Sequence, residues 1–117
     1  MTDVLALVDD LFFQAKLSQT AQQLGVKLKM VTTGDALTSS AGSDLPRLVL
    51  VDLNARQGAI EAIERLNASG DSGLVIAFLS HVQTELAERA RAAGCRRVLP
   101  RSKFTAELAD ILQQAKM

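Results

Sequence analysis

The sequence has no Trp, no Tyr, one Cys, one His, two Pro and only four Phe in 117 residues. Each shortage removes a class of function. A single cysteine, Cys95, excludes an intramolecular disulfide and a zinc site built from cysteines. Four phenylalanines are too few for the stacking platforms that single-stranded nucleic acid requires. Thirteen basic residues balance thirteen acidic ones, so no broad field gathers nucleic acid or anionic lipid. No apolar run approaches the ~20 residues of a membrane span. Met1-Thr2-Asp3 places no basic segment ahead of the first apolar run, so a signal peptide is not expected. The expectation is a cytoplasmic protein with neither a nucleic-acid nor a membrane partner.

What is present has an ordinary globular balance, with 48% hydrophobic and 22% charged residues. The length suits one core, so residues 1–117 are read as a single domain with no output domain attached. Five short apolar runs alternate with helical patterns. Val4–Val8, Leu48–Val51 and Leu74–Leu79 are continuous, as in strands buried on both faces of a parallel sheet. Val26–Met30 alternates and Arg96–Leu99 is half charged, which suits exposed edges. Between the runs the period becomes helical. One face carries Phe13, Leu17, Ala21 and Leu24, ended by Gly25. Others carry Ile60, Ile63 and Leu66; Val82, Leu86, Ala90 and Ala93; and Phe104, Leu108, Ile111 and Leu112. Within Gly34–Ser43, Asp35-Ala36-Leu37 could start a short helix, while Ser39–Ser43 reads as loop.

The pattern is (βα)5, a three-layer, doubly wound α/β fold of the flavodoxin-like kind. Right-handed crossovers and two edge strands give a five-stranded parallel sheet of order 2-1-3-4-5. Such a sheet binds ligands beyond the carboxyl ends of its strands, where the winding reverses between the first and third strands. Asp9 and Asp10 follow the first strand, and Asp52 ends the third. Three carboxylates converging there repel one another, and a hard divalent cation such as Mg²⁺ relieves that repulsion. A plainer role for Asp10 is to cap the helix beginning near Leu11. Ser80 ends the fourth strand and is followed by His81; Arg101 follows the fifth, after Pro100. A hydroxyl and a guanidinium suit phosphoryl oxygens. The plainer roles are a helix cap for Ser80, a solvated or structural His81, and a basic edge of Arg96, Arg97, Arg101 and Lys103. Leu11 or Phe12 could sit over the pocket.

Leu7-Val8-Asp9-Asp10, Val49–Asn54, Ile76–Ser80 and Gly94–Arg101 together resemble the receiver domain of bacterial two-component response regulators over essentially the whole chain. The resemblance implies Asp9 and Asp10 as a Mg²⁺ site and Asp52 as the acceptor of a phosphoryl group from a histidine kinase or phosphotransfer protein. It implies Asn54 as a main-chain metal ligand and Ser80 as the hydroxyl that couples the phosphoryl group to a signalling surface. That surface is the face made by the fourth and fifth strands and the helices after them, where a downstream protein or a second copy of the chain would dock.

Departures from the family accompany the likeness. Arg101-Ser102 stands where lysine and proline are usual, and Val98 fills an aromatic switch position. Asn54-Ala55-Arg56-Gln57-Gly58 looks shorter than its counterpart by about two residues and lacks the usual methionine-proline and aspartate-glycine pairs, a loop of the kind that carries function. A smaller group of stand-alone receiver-like proteins shares the Asp9–Phe13, Ser80–Val82 and Pro100–Ser102 patterns, and this likeness implies no mechanism. The sequence therefore supports two readings: a stand-alone receiver taking a phosphoryl group on Asp52 with Mg²⁺, and a pseudo-receiver acting as a phosphorylation-independent interaction module. An enzyme is not expected beyond self-phosphorylation from a donor and self-dephosphorylation. Asp52-Leu53-Asn54 resembles a phosphohydrolase motif, but the chain has no cap domain. The first strand also leads into two acids and no glycine-rich loop, against nucleotide binding.

Overall fold

A computed structural model describes residues 2–55, 58–70, 73–80 and 83–115. The elements run β1 (Val4–Leu7), α1 (Leu11–Leu24), β2 (Leu28–Val31), α2 (Gly34–Asp44), β3 (Leu48–Asp52), α3 (Ala59–Ser69), β4 (Leu74–Leu79), α4 (Thr84–Ala93), β5 (Arg97–Pro100) and α5 (Arg101–Ala115). All strand pairs are parallel, in the order β2-β1-β3-β4-β5. The fold is the expected flavodoxin-like one. Among the described residues no helix is long and apolar enough to cross a membrane.

The continuous apolar runs occupy the centre because both of their faces are covered. Side chains alternate across the sheet. Leu5, Leu7, Val49, Val51, Val75, Ala77 and Leu79 face one layer with residues of α2, α3 and α4. Val4, Ala6, Val8, Leu48, Leu50, Ile76 and Phe78 face the other, with α1 and α5. By the same alternation Asp52 lies on the α1/α5 face, in register with Phe78. Phe13 of α1, Phe78 of β4 and Phe104 of α5 meet on that side, with Phe78 and Phe104 stacked at 4.3 Å between centroids. Edge strands β2 and β5 are only partly buried, as their charged residues anticipate.

Two expectations are corrected. The serine-rich stretch Ser39–Ser43 is not loop but part of α2. Thr33 caps that helix by accepting from the Ala36 N–H, and Leu37 and Ala41, four residues apart, are fully buried. The Ser43 hydroxyl donates back to the Ser39 and Ser40 carbonyls, which removes its competition with the helix backbone. The helix ends at Leu45 in a left-handed conformation (φ 47°), a stop that glycine usually signals. The second correction concerns Ser80: α4 begins at Thr84 with Gln83 at its N-cap, so Ser80 does not cap it. His81, Val82 and the loop residues Arg56 and Gln57 lie outside the described residues.

Candidate functional site at the carboxyl edge of the sheet

Register sets the site. Leu7 pairs with Val51, so the residues just past β1 lie level with the end of β3, and the winding reverses between these two strands. Asp10 is the N-cap of α1, its Oδ1 accepting from the Phe12 and Phe13 N–H groups at 3.0 and 3.3 Å. The Phe13 N–H is the main reason its carboxyl lies below the usual range; that of Phe12 and the Arg101 guanidinium act in the same direction, against some desolvation. Capping and a place in the acidic edge are thus compatible.

Asp52 is the one buried charged residue described, at 3% exposure. Its Oδ1 accepts from the Asn54 N–H at 2.9 Å. Burial pushes its carboxyl pKa up, aided by the charges of Asp9 and Asp10; the Asn54 N–H and Arg101 only partly offset this.

Arg101, the first residue of α5, spans the two acids. Its Nη1 donates to Asp10 Oδ2 at 3.3 Å and its Nη2 to Asp52 Oδ2 at 3.4 Å. The guanidinium carbon lies 4.5 Å from the centre of the Phe13 ring, and the edge of the aromatic cluster holds it in place. It is therefore not part of a solvated basic edge. Arg97 is also engaged, with Glu107 at 3.0 Å, while Arg96 and Lys103 are exposed.

A second set of contacts leads away from Asp52. The Asn54 amide accepts from the Ser80 N–H at 2.7 Å and donates to Gln83 Oε1 at 2.9 Å. Gln83 lines an apolar groove with Leu79, Ala87, Arg91 and Val98, between α4 and β5. An ordinary side-chain hydrogen bond, invisible in sequence, thus connects the acidic edge to the face that the family resemblance implies for docking. Leu11 and Phe12 do not cover the site; they are 77% and 91% exposed. Cys95 is buried and its thiol is pushed up to about 11 by that burial, so it is no nucleophile.

Whether the edge fits a magnesium ion can be judged from its donors. Among the described residues no three His, Cys, Asp or Glu form a group able to hold a metal. Both oxygens of Asp10 and of Asp52 already accept hydrogen bonds, one from backbone and one from Arg101. In this arrangement the residues do not fit the ion.

No protein-family model matches the chain, and no curated protein matches it in sequence. Solved structures do match in fold. A chemotaxis protein of Vibrio cholerae superposes with a TM-score of 0.84 at 18% identity, covering 98% of each chain. The receiver domain of a sensor histidine kinase of Pseudomonas aeruginosa, described with a magnesium ion coordinated in its active-site cleft, gives 0.82 at 23% identity over 97% of this chain and 95% of its own. A CheY-like response-regulator receiver protein of Methanospirillum hungatei gives 0.81 at 13% identity over 99% and 97%. The fold is the one these receiver domains share. The match spans 98% of this chain, and among the described residues an arginine bridges two carboxylates at the switch point.

Proposed function

We propose that the chain is a receiver-type signalling domain of a two-component system, acting in the cytoplasm, with Asp52 as phosphoryl acceptor. The observation that carries the reading is the position of Asp52: a buried carboxylate at the end of a central strand, at the switch point, beside Asp9 and Asp10. The donor would be a phosphorylated histidine of a kinase or phosphotransfer protein. An oxygen of Asp52 bonds to phosphorus as the P–N bond breaks, and the imidazole leaves with the bond's electron pair. Asp52 is covered, so the guanidinium must withdraw or pivot before phosphorus can approach. Once transfer has occurred, Arg101 and the Ser80 hydroxyl would serve the phosphoryl oxygens.

The outcome of transfer is a population shift. The Asn54 side chain ties the acceptor loop to Ser80 and Gln83, so a change at Asp52 reaches α4 and the α4–β5 groove, the proposed docking face for a downstream partner. Magnesium, which the Pseudomonas relative coordinates, enters this reading only if Arg101 gives up its two carboxylates. Intact-mass analysis after incubation with a small phosphodonor and Mg²⁺ tests the proposal. The expected result is a gain of one phosphoryl group that Asp52→Asn abolishes. No gain under any donor and metal condition would overturn it and leave an interaction module.

A further inference from the structure

We infer that Arg101 is the resident cation of the acidic edge and that it competes with divalent metal for Asp10 and Asp52. This takes from the proposed function only that the Asp9–Asp10–Asp52 edge is where a metal would be recruited. The geometry is specific. One planar guanidinium reaches two carboxylates from different strand ends, donating separately to Asp10 Oδ2 and Asp52 Oδ2. The remaining oxygens, Oδ1 of each, accept backbone N–H groups of Phe12, Phe13 and Asn54. A divalent ion needs several oxygen ligands with free lone pairs. The oxygens it could take most readily are those that Arg101 holds.

Three features suit arginine to this task. Its charge persists at every pH a protein experiences. Its fork spans two acceptors, whereas a lysine ammonium is a point charge that centres on one. The Phe13 face, 4.5 Å from the guanidinium carbon, supports it through a cation–π contact. The arrangement is nonetheless incomplete, because the Nε of Arg101 is buried with no hydrogen-bond partner among the described residues. An unpaired buried donor weakens the closed state, so a divalent ion at sufficient concentration can displace the arginine. The site would thereby acquire a threshold: a metal would enter only after Arg101 gave up Asp10 and Asp52, which would also uncover Asp52.

The test is Mn²⁺ titration calorimetry on the wild type, Arg101→Lys and Arg101→Gln, each first stripped with chelator, with Asp10→Asn added to the Arg101→Gln background. Competition predicts that both single variants bind Mn²⁺ at least tenfold more tightly than the wild type. The double variant then loses that gain. A melting shift at fixed Mg²⁺ larger in Arg101→Lys than in wild type gives a second readout, and the lysine variant keeps the test open if the glutamine variant does not fold. Affinities within twofold of one another, or no binding by any variant, overturn the inference. Failure of phosphoryl labelling with these affinity differences intact would remove the signalling reading and leave the competition standing.

Discussion

The two layers that flank the sheet are built from different materials. The α1/α5 layer holds three of the four phenylalanines, Phe13, Phe78 and Phe104, in mutual contact. The opposite layer is aliphatic, filled by Leu37, Ile63, Leu66 and small residues such as Ala41, Ala62 and Ala90. The difference falls along a functional division. The aromatic side forms the platform for Arg101 and so controls how Asp52 is covered. The aliphatic side ends in the groove beside Val98, where a small side chain leaves room between α4 and β5. One layer holds Arg101 over Asp52, and the other, in the proposed reading, offers a surface to a partner.

The largest test of that contrast is truncation of the ring that backs the platform, Phe104, which packs on Phe13 and Phe78. Phe104→Ala should cost about 4 kcal/mol, as complete loss of a buried ring does, and Leu37→Ala in the other layer about 3 kcal/mol. Urea melts would give both values. Only the first should also change the titration of Asp52, followed by NMR of its carboxyl carbon; equal effects on Asp52 would erase the distinction between the layers.

Arg101→Gln should lower stability in chelator by about 3 kcal/mol, because it leaves Asp52 buried without its counter-charge. This is at the lower end for a broken buried pair, since the Arg101 side chain is 30% exposed. Millimolar Mg²⁺ should restore part of the loss in the variant and add little to the wild type. A melt unchanged by the substitution would show that the ion pairs contribute nothing.

The next effect concerns pH. The folded-state pKa of Asp52 is raised by burial, so the folded protein binds a proton more readily than the unfolded chain does. The contribution of Asp52 is therefore most favourable at low pH and is lost as pH rises from the unfolded value near 4 through the raised folded value. Asp52→Asn should gain relative to the wild type across that interval, by about 1.4 kcal/mol for each pH unit that the interval spans. Asp10 behaves in the opposite sense: its lowered pKa gives stability that is present above the unfolded value and lost as pH falls through the folded one. Paired melts of wild type and Asp52→Asn between about pH 3.5 and 7, in roughly half-unit steps, would show the divergence; parallel profiles would refute it.

The smallest effect lies on the aliphatic side. Asn54→Ala removes the hydrogen bonds to Ser80 and Gln83, at a cost of about 1 kcal/mol. Amide exchange at Ser80 and at the start of α4 should quicken more than elsewhere. Uniform exchange rates across the chain would mean that Asn54 does not connect the loop after β3 to α4.

Much of this architecture was legible in the sequence. Continuous apolar runs marked the central strands, charged runs marked β2 and β5 as edges, and strand ends put Asp9, Asp10 and Asp52 together. The stretch Ser39–Ser43 misled, because serine propensity favours loops while burial of Leu37 and Ala41 and the cap at Thr33 favour helix. Its stop was equally hidden, since Leu45 adopts the left-handed conformation that a glycine would have announced. Ser80 misled for a related reason: a hydroxyl at a strand end resembles a cap, but the helix begins further on, at Thr84.

Sequence by itself determined where the acids fall, because side-chain alternation and parallel register are periodic properties of the chain. It could not determine where Arg101 points. A side chain with that many rotatable bonds is aimed by what surrounds it. Here those surroundings are Phe13 from α1, Asp10 from the end of β1 and Asp52 from β3, segments up to 91 positions from Arg101 along the chain. Only the packed tertiary structure brings them to one place, and there the arginine takes up the carboxylate oxygens that the acidic pattern alone had offered to a metal.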